Sequence, residues 1–448
     1  MKIVDKILKK DKSTDNHYLS GKEVRAIAKE NGKIMRTLEK KKFRKAPESE
    51  FVTEMRDPAN ILEIDDLHTY FFTDQGVVKA VNGVSIDVPT NSVVGIVGES
   101  GCGKSVTSMS VMQLLQGPTG QIFSGSIRFK SLDFKRDEKG NPIPIYERDE
   151  EGNILSTVKK DKNGNVVFNK DGFPIMIPAQ AVNESGVYAY EMEEKVFDIA
   201  QMPIHEVHRI RGRQIAMIFQ EPMTSLNPVF TIGNQLDEVV FIHTPDATKE
   251  MAKNRSLEML SLVGIDKSER VYNSYPHELS GGMRQRVMIA MALACDPRLI
   301  IADEPTTALD VTIQAQILDL LRDLKQRING SIMLITHDLG IIAEMADYVV
   351  VMYAGRVIEK GTVQEIFHNP MHPYTIGLQK SKPTMDSNTD TLFNIPGNVP
   401  NPVNMPNYCY FKDRCSRCID KCNGDYPCMV QVSPTHYVAC HLYEEENK

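Results

Sequence analysis

No stretch of this 448-residue chain approaches the roughly 18 consecutive apolar residues that mark a bilayer-spanning helix, so no such helix is expected. An excess of positive charge is also missing. The chain has 52 Lys and Arg against 59 Asp and Glu, a net charge of −7. Bulk electrostatics therefore speak against a nucleic acid as partner. The first residues are rich in Lys but have neither an apolar core nor a small-residue cleavage site, so they do not read as a secretory signal. No long heptad run is present. Cysteine is sparse until the end, where six of the eight fall between Cys409 and Cys440. In a reducing compartment such a cluster reads as metal or iron–sulfur ligation before disulfides.

What is present is organised around Gly98-Glu99-Ser100-Gly101-Cys102-Gly103-Lys104-Ser105. The run follows a β-branched stretch, Val93-Val94-Gly95-Ile96-Val97, and precedes a segment of helical potential from Val106 to Leu115. Strand, glycine-rich loop and helix in that order make a phosphate cradle. Glycines let the backbone wrap an anion, N–H groups point inward, and the helix N-terminus adds partial positive charge. Lys104 is expected at the β- and γ-phosphates of a nucleotide, Ser105 at Mg2+, and Val106 at the head of the helix. Cys102 reads as a space-filling side chain, with redox sensitivity as the sharper alternative.

Length predicts two to three domains. Residues 1–55 form a basic extension with a run at Lys40-Lys41-Lys42-Phe43-Arg44-Lys45. A solvated, partly helical segment is expected there, with attachment to an anionic membrane surface as the alternative. Alternating strands follow at Ile61–Ile64 and Gly83–Val88, with Tyr70-Phe71-Phe72 between them. Phe71 is the candidate to stack on adenine, Tyr70 the runner-up, and core packing competes for either. Residues 131–205 interrupt the pattern with turn signals at Asp137–Asn141, Asp149–Asn153, Asp161–Asn165 and Asn169–Gly172. They read as an inserted surface subdomain of repeated β-hairpins with no catalytic set. Strand Gln214–Phe219 resumes the main fold and ends at Gln220. Residues 226–295 are helical in period, with breaks around Pro245 and Pro276. Two apolar strands, Leu299–Ala302 and Ile332–Ile335, flank a helix predicted over Thr312–Asn329 and closed by Gly330. A hairpin is expected across Ala354-Gly355. Apolar strands alternating with helices predict an α/β fold with a parallel sheet covered on both faces.

Leu299–Ala302 runs into Asp303-Glu304. A buried strand that ends in two acids is costly without a cation, so Asp303 is expected to hold Mg2+ and Glu304 to act as general base toward water. A second helix opens with small residues at Leu279-Ser280-Gly281-Gly282-Met283. It offers N–H groups and a hydroxyl to another anion, which makes sense if it serves the nucleotide of a facing subunit.

Gly98–Ser105, Gln220, Leu279–Gln285, Asp303-Glu304, Ala308-Leu309-Asp310 and Thr336-His337-Asp338 stand in the order found in ATP-binding-cassette (ABC) ATPases. The resemblance spans about residues 60–380 apart from the insert. It implies an ABC-type P-loop NTPase fold, with a RecA-like core of mixed sheet and a helical subdomain, over residues 56–380. Gln220 then resembles the glutamine that senses Mg2+ and water and couples to membrane subunits. Ser280, Gly281 and Gly282 resemble the signature motif that closes over ATP on the opposite subunit. Asp310 resembles the interface aspartate, and His337 the switch histidine at the γ-phosphate. The flanks Ala302–Gln316, Gly281–Ala290 and His368–Thr375 resemble the oligopeptide/dipeptide importer ATPases, and Met283 with Thr306-Thr307 their D-type subunit. That implies an ATPase driving peptide import. Its implied partners are an F-type second cassette, two transmembrane permeases and an extracellular peptide-binding protein, with the chain peripheral on the cytoplasmic side of the membrane. Nickel in place of peptide stays open. A soluble cassette of translation or repair, an exporter ATPase and a redox-sensing binding module are the competing readings.

Residues 381–448 form the cysteine-rich tail. Cys409, Cys415, Cys422 and Cys440 stand with five, six and seventeen residues between them. The importer family's tail is similar and can bind a [4Fe–4S] cluster. Cys418 and Cys428 permit a competing zinc site through Cys415-x-x-Cys418, and unmetallated thiols are the third reading.

Overall fold

The computed structural model describes residues 19–159, 165–182, 188–221, 225–245, 247–307, 310–328, 330–381 and 394–444. The centre is an eight-stranded sheet in the order Met429–Gln431, Tyr437–Ala439, Arg356–Thr362, Tyr348–Tyr353, Val93–Val97, Ser331–Ile335, Leu299–Asp303, Ile215–Ile218. The five strands from Tyr348–Tyr353 to Ile215–Ile218 run parallel, as alternation of apolar strands with helices predicts. The hairpin across Ala354-Gly355 pairs antiparallel, and the tail adds the last two antiparallel strands.

Burial follows the two-residue period of these strands. Val93, Val97, Ile300, Ala302, Ile332, Leu334, Val349 and Val351 join one core cluster with the helices. Their neighbours Val94, Ile96, Leu299, Ile301, Met333, Ile335, Val350 and Met352 join a second cluster. That cluster lies against a five-stranded antiparallel sheet in the order Val52–Thr53, Met192–Asp198, Gly120–Phe134, Asn60–Phe72, Val77–Pro89. The region predicted to be helical holds Ile232–His243, Lys249–Leu262, Ser268–Tyr272 and Gly281–Leu293, with the chain interrupted at both expected prolines.

Several boundaries differ from the sequence reading: Tyr70-Phe71-Phe72 lie within strand Asn60–Phe72 and not between two strands, and the next strand, Val77–Pro89, starts well before Gly83. The helix after the phosphate loop runs Lys104–Val111, starting before Val106 and ending before Leu115. Gly103 at φ 100° turns the chain into it, and Gln113 at φ 47° lies just beyond its end. The helix predicted over Thr312–Asn329 runs Val311–Ile328. Ser131–Phe134 and Met192–Asp198, placed within the insert by sequence, are paired strands of the antiparallel sheet (Phe134 opposite Met192). The appended ladder lies between them. Its turns repeat one device: Oδ1 of Asp137, Asp149 and Asn169 accepts N–H groups two and four residues on, with Gly140, Gly152 and Gly172 at positive φ. The turn at Asp161–Asn165 falls largely outside the described residues.

The basic extension contains a helix, Gly21–Lys42, opened by a capping box of Ser20 and Glu23. It is docked rather than fully solvated. Asn31 is buried and donates to the carbonyls of Thr73 and Gly76, and burial lowers the pKa of Lys41 and Lys42.

Candidate ATP site

Four neighbouring parallel strands deliver the site. Gly98, His337, Asp303-Glu304 and Gln220 lie at the C-terminal ends of strands Val93–Val97, Ser331–Ile335, Leu299–Asp303 and Ile215–Ile218, which are adjacent in that order. Residues far apart in the chain therefore meet at one sheet edge.

The phosphate loop needs its glycines. A Cβ on Gly98 would lie 2.2 Å from the carbonyl oxygen of Met352, and one on Gly103 2.4 Å from that of Ala80, both at positive φ. Lys104 is buried and donates from Nζ to the carbonyls of Gly98 at 2.7 Å and Glu99 at 3.2 Å. Ser100 and Gly101 form the loop's turn, and Val106 lies within the helix rather than at its head. Cys102 is buried, and burial pushes its thiol up, which suits the space-filling reading.

Ser105 Oγ donates to Asp303 Oδ1 at 3.0 Å. Asp303 is buried, and desolvation raises its carboxyl pKa, only partly offset by the Ser105 hydroxyl and the Lys104 charge. A hydroxyl beside a desolvated carboxylate is a hard-oxygen pair suited to Mg2+.

Glu304 sits at φ 47°, a costly conformation for a non-glycine residue. Its N–H donates to the Ile335 carbonyl at 2.8 Å. Its carboxylate accepts from Gln220 Nε2 at 2.9 Å and from Thr307 Oγ1 at 2.9 Å, and lies 3.3 Å from His337 Nδ1. Three side chains thus orient one carboxylate beside the phosphate loop. Thr307 was not singled out from sequence as a partner of Glu304. Its place three residues after the acid was the available signal.

Ser280 and Asp310 stand elsewhere. Ser280 caps helix Gly281–Leu293, its Oγ accepting from Met283 N–H, and Asp310 accepts from Ile313 N–H at 2.9 Å. Both are exposed, and a Cβ on Gly281 would meet nothing within 4 Å. The two segments touch, since a Cβ on Gly282 would lie 3.1 Å from Ile313. Gln285 links this helix to the acid strand by donating to the Pro305 carbonyl. Ala308 and Leu309 lie outside the described residues. Tyr70 is fully buried, donates to Asn82 and stacks on Phe123, so it belongs to the core. Phe71 is half-buried, opposite Val78, with its ring over Gly120.

The tail cysteines converge. Cys409 interacts electrostatically with Cys415, Cys422 and Cys440, and Cys440 with Cys415 and Cys422. Burial pushes Cys409 up to about 12 and Cys440 to about 11. Thiols are the donor type for iron–sulfur clusters and zinc. Yet among the described residues no group of three or more His, Cys, Asp or Glu side chains is arranged to hold a metal ion. The donor chemistry fits; the arrangement does not.

Two family models match: ABC transporter, over residues 81–165 and 185–307, and the oligopeptide/dipeptide transporter C-terminal region, over 358–422. The oligopeptide transport ATP-binding protein AppD of Bacillus subtilis is 42% identical over 388 residues, covering 87% of this chain and 98% of its own length. From the same organism, the oligopeptide transport ATP-binding protein OppD is 42% identical, covering 85% of this chain and 88% of its own. Its dipeptide transport ATP-binding protein DppD is 41% identical, covering 86% and 95%. With the phosphate loop, the acid strand and both family models in register, this chain belongs to the ATP-binding subunits of the oligopeptide/dipeptide ABC transporters.

Proposed function

We propose that this chain binds and hydrolyses ATP to energise peptide import. The observation that carries the chemistry is the Glu304 carboxylate, oriented by Gln220, Thr307 and His337 beside the phosphate loop. The loop from Gly98 to Ser105 cradles the phosphates, and Lys104 turns from its carbonyls to the β- and γ-phosphates. Glu304 takes the proton of the attacking water as its oxygen bonds to the γ-phosphorus and the bond to the ADP oxygen breaks. His337 contacts the γ-phosphate, and Phe71 stacks on adenine. Ser105, Asp303 and Gln220 would hold Mg2+, which when bound would neutralise phosphate charge.

The exposed Ser280, Gly281 and Asp310, with Gly282 behind them, face a second cassette, an F-type subunit, each chain completing the other's ATP site. Two permeases and an extracellular peptide-binding protein complete the importer, and this chain sits at the cytoplasmic face of the membrane. Among the described residues no helix is long and apolar enough to cross a membrane. We assign residues 56–380 to the ATPase unit, 135–191 to the ladder inserted in it, 226–295 to its helical subdomain, 1–55 to the extension and 381–448 to the tail. Cys409, Cys415, Cys422 and Cys440 are assigned as ligands of a [4Fe–4S] cluster on donor type and on the tail's resemblance alone, with zinc as the alternative.

The test is affinity capture of the tagged chain from detergent-solubilised membranes of its source. Recovery with two permeases and a second cassette is expected. Recovery with ribosomes or DNA instead overturns the importer reading.

A further inference from the structure

Two segments of the C-terminal tail reach the phosphate loop and the strand that pairs with Phe71, the proposed adenine platform. At the phosphate end, Arg414 is 8% exposed and grips Glu99 of the phosphate loop with both arms, Nη1 to Oε2 at 2.7 Å and Nη2 to Oε1 at 3.0 Å. The guanidinium is fixed from behind, Nε donating to the Pro396 carbonyl at 3.0 Å and Nη1 to the Tyr353 hydroxyl at 3.3 Å. The Glu99 N–H donates to the Tyr374 hydroxyl at 2.8 Å. Tyr353, Tyr374 and Phe411 pack ring to ring with centroids 4.7 to 5.5 Å apart, forming the wall between loop and tail.

Next to Phe71, residues 402–405 lie along strand Val77–Pro89. Lys79 N–H donates to the Pro402 carbonyl at 3.1 Å, and Asn404 N–H to the Val77 carbonyl at 2.9 Å. Val77 N–H donates to Asn404 Oδ1 at 3.0 Å, and Lys79 Nζ to the Met405 carbonyl at 3.0 Å. Val78, which pairs with Phe71, also bridges Val403.

We propose that the tail braces the ATP site and that Arg414 is its positioning residue. A glycine-rich loop pays ordering entropy when it closes on phosphates, and holding Glu99 in advance removes part of that cost. Glu99 is also an anion in an anion-binding loop. Its bidentate partner cancels that charge before the triphosphate arrives. A guanidinium suits this better than an ammonium, because its fork matches both carboxylate oxygens.

The inference rests on the phosphate-loop reading, which Lys104→Ala tests separately. The experiment measures MgATP affinity of the full-length chain by equilibrium titration, and KM and kcat in the assembled transporter. Arg414→Gln is expected to raise Kd and KM about tenfold with kcat within about twofold. Glu99→Gln alone should raise Kd by less, because it removes the loop's own anion along with the brace, and the double variant should be no worse than Arg414→Gln alone. Arg414→Lys should fall between. If Arg414→Gln leaves affinity within about twofold of the parent while Lys104→Ala weakens it about tenfold or more, the brace is overturned and the loop reading stands. Effects that multiply in the double variant also overturn it. Should Arg414→Gln fail to fold, Glu99→Gln and Arg414→Lys carry the same two outcomes.

Discussion

Gln220 and Glu304 stand 84 residues apart in the chain, yet Nε2 of one donates to Oε2 of the other at 2.9 Å. The contact exists because strands Ile215–Ile218 and Leu299–Asp303 are parallel neighbours and release both residues at the same edge. It ties the glutamine expected to sense the permeases to the acid expected to activate water.

Glu304→Gln keeps the shape and the acceptor for Gln220 but removes the base. Hydrolysis should fall by about 10²–10⁴-fold while MgATP binds as in the parent. Single-turnover phosphate release and equilibrium binding check both halves. Near-normal hydrolysis in the purified transporter rejects Glu304 as the base.

Lys104→Ala removes a buried ammonium whose other partners are loop carbonyls. Charge-assisted bonds to phosphate contribute about 1.5–3 kcal/mol, so ATP affinity should drop about ten- to a hundredfold or more. Unchanged affinity in a titration counts against the phosphate-loop assignment.

Gly103→Ala and Gly281→Ala should part company. The first puts a Cβ 2.4 Å from the Ala80 carbonyl at φ 100°, so thermal melts should show a loss of about 1–3 kcal/mol. The second meets nothing within 4 Å, so the isolated chain should melt within about 0.5 kcal/mol of the parent. Hydrolysis in the assembled transporter should nevertheless fall, because the proposed role of this loop requires a close approach to a facing nucleotide. Full activity of Gly281→Ala would refute the facing-site role.

Stability should carry a pH signature from His372. It is fully buried, its Nδ1 accepts from Tyr374 N–H at 3.0 Å, and it must be neutral to do so. Burial lowers its pKa from 6.5 to about 4, with Glu359 acting in the opposite direction. The unfolded imidazole binds a proton below about pH 6.5 and the folded one only below about pH 4. The contribution is therefore complete above about pH 6.5 and is lost as pH falls through the window to about 4, at most about 3 kcal/mol. Urea titrations across that window should give a shallower slope for His372→Asn, which keeps a capping side chain. Identical slopes would remove His372 from the account.

The tail is decided by elemental analysis after anaerobic purification. About four iron and four acid-labile sulfide per chain are expected, lost with Ser at Cys409, Cys415, Cys422 or Cys440 but not at Cys295. Zinc without iron would replace the cluster assignment by the zinc alternative.

The motifs were legible because they are local. The phosphate loop, the acid pair after Leu299–Ala302 and the small-residue start at Ser280 each carry their chemistry within a few residues, so spacing alone exposes them. The parallel sheet was legible for a similar reason: strands buried on both faces are apolar without interruption. Boundaries were less so. The helix after the loop ends early where Gln113 takes positive φ, which no periodicity announces. Ser131–Phe134 looked foreign because its partner, Met192–Asp198, lies beyond the whole insert.

By itself, the sequence determined that this chain carries the ATP-binding-cassette motifs, and it set the expectation of which residues meet the nucleotide and of a facing chain, since each reading rests on local chemistry. Tertiary structure decided which carboxylate is oriented and by whom, because Gln220 and His337 meet Glu304 only through strand order, joining Thr307 from the same loop. It also decided that the tail reaches the phosphate loop. Arg414 and Glu99 are 315 residues apart, and no local pattern encodes a pairing that arises when the closing hairpin and the tail fold back over the strand edge.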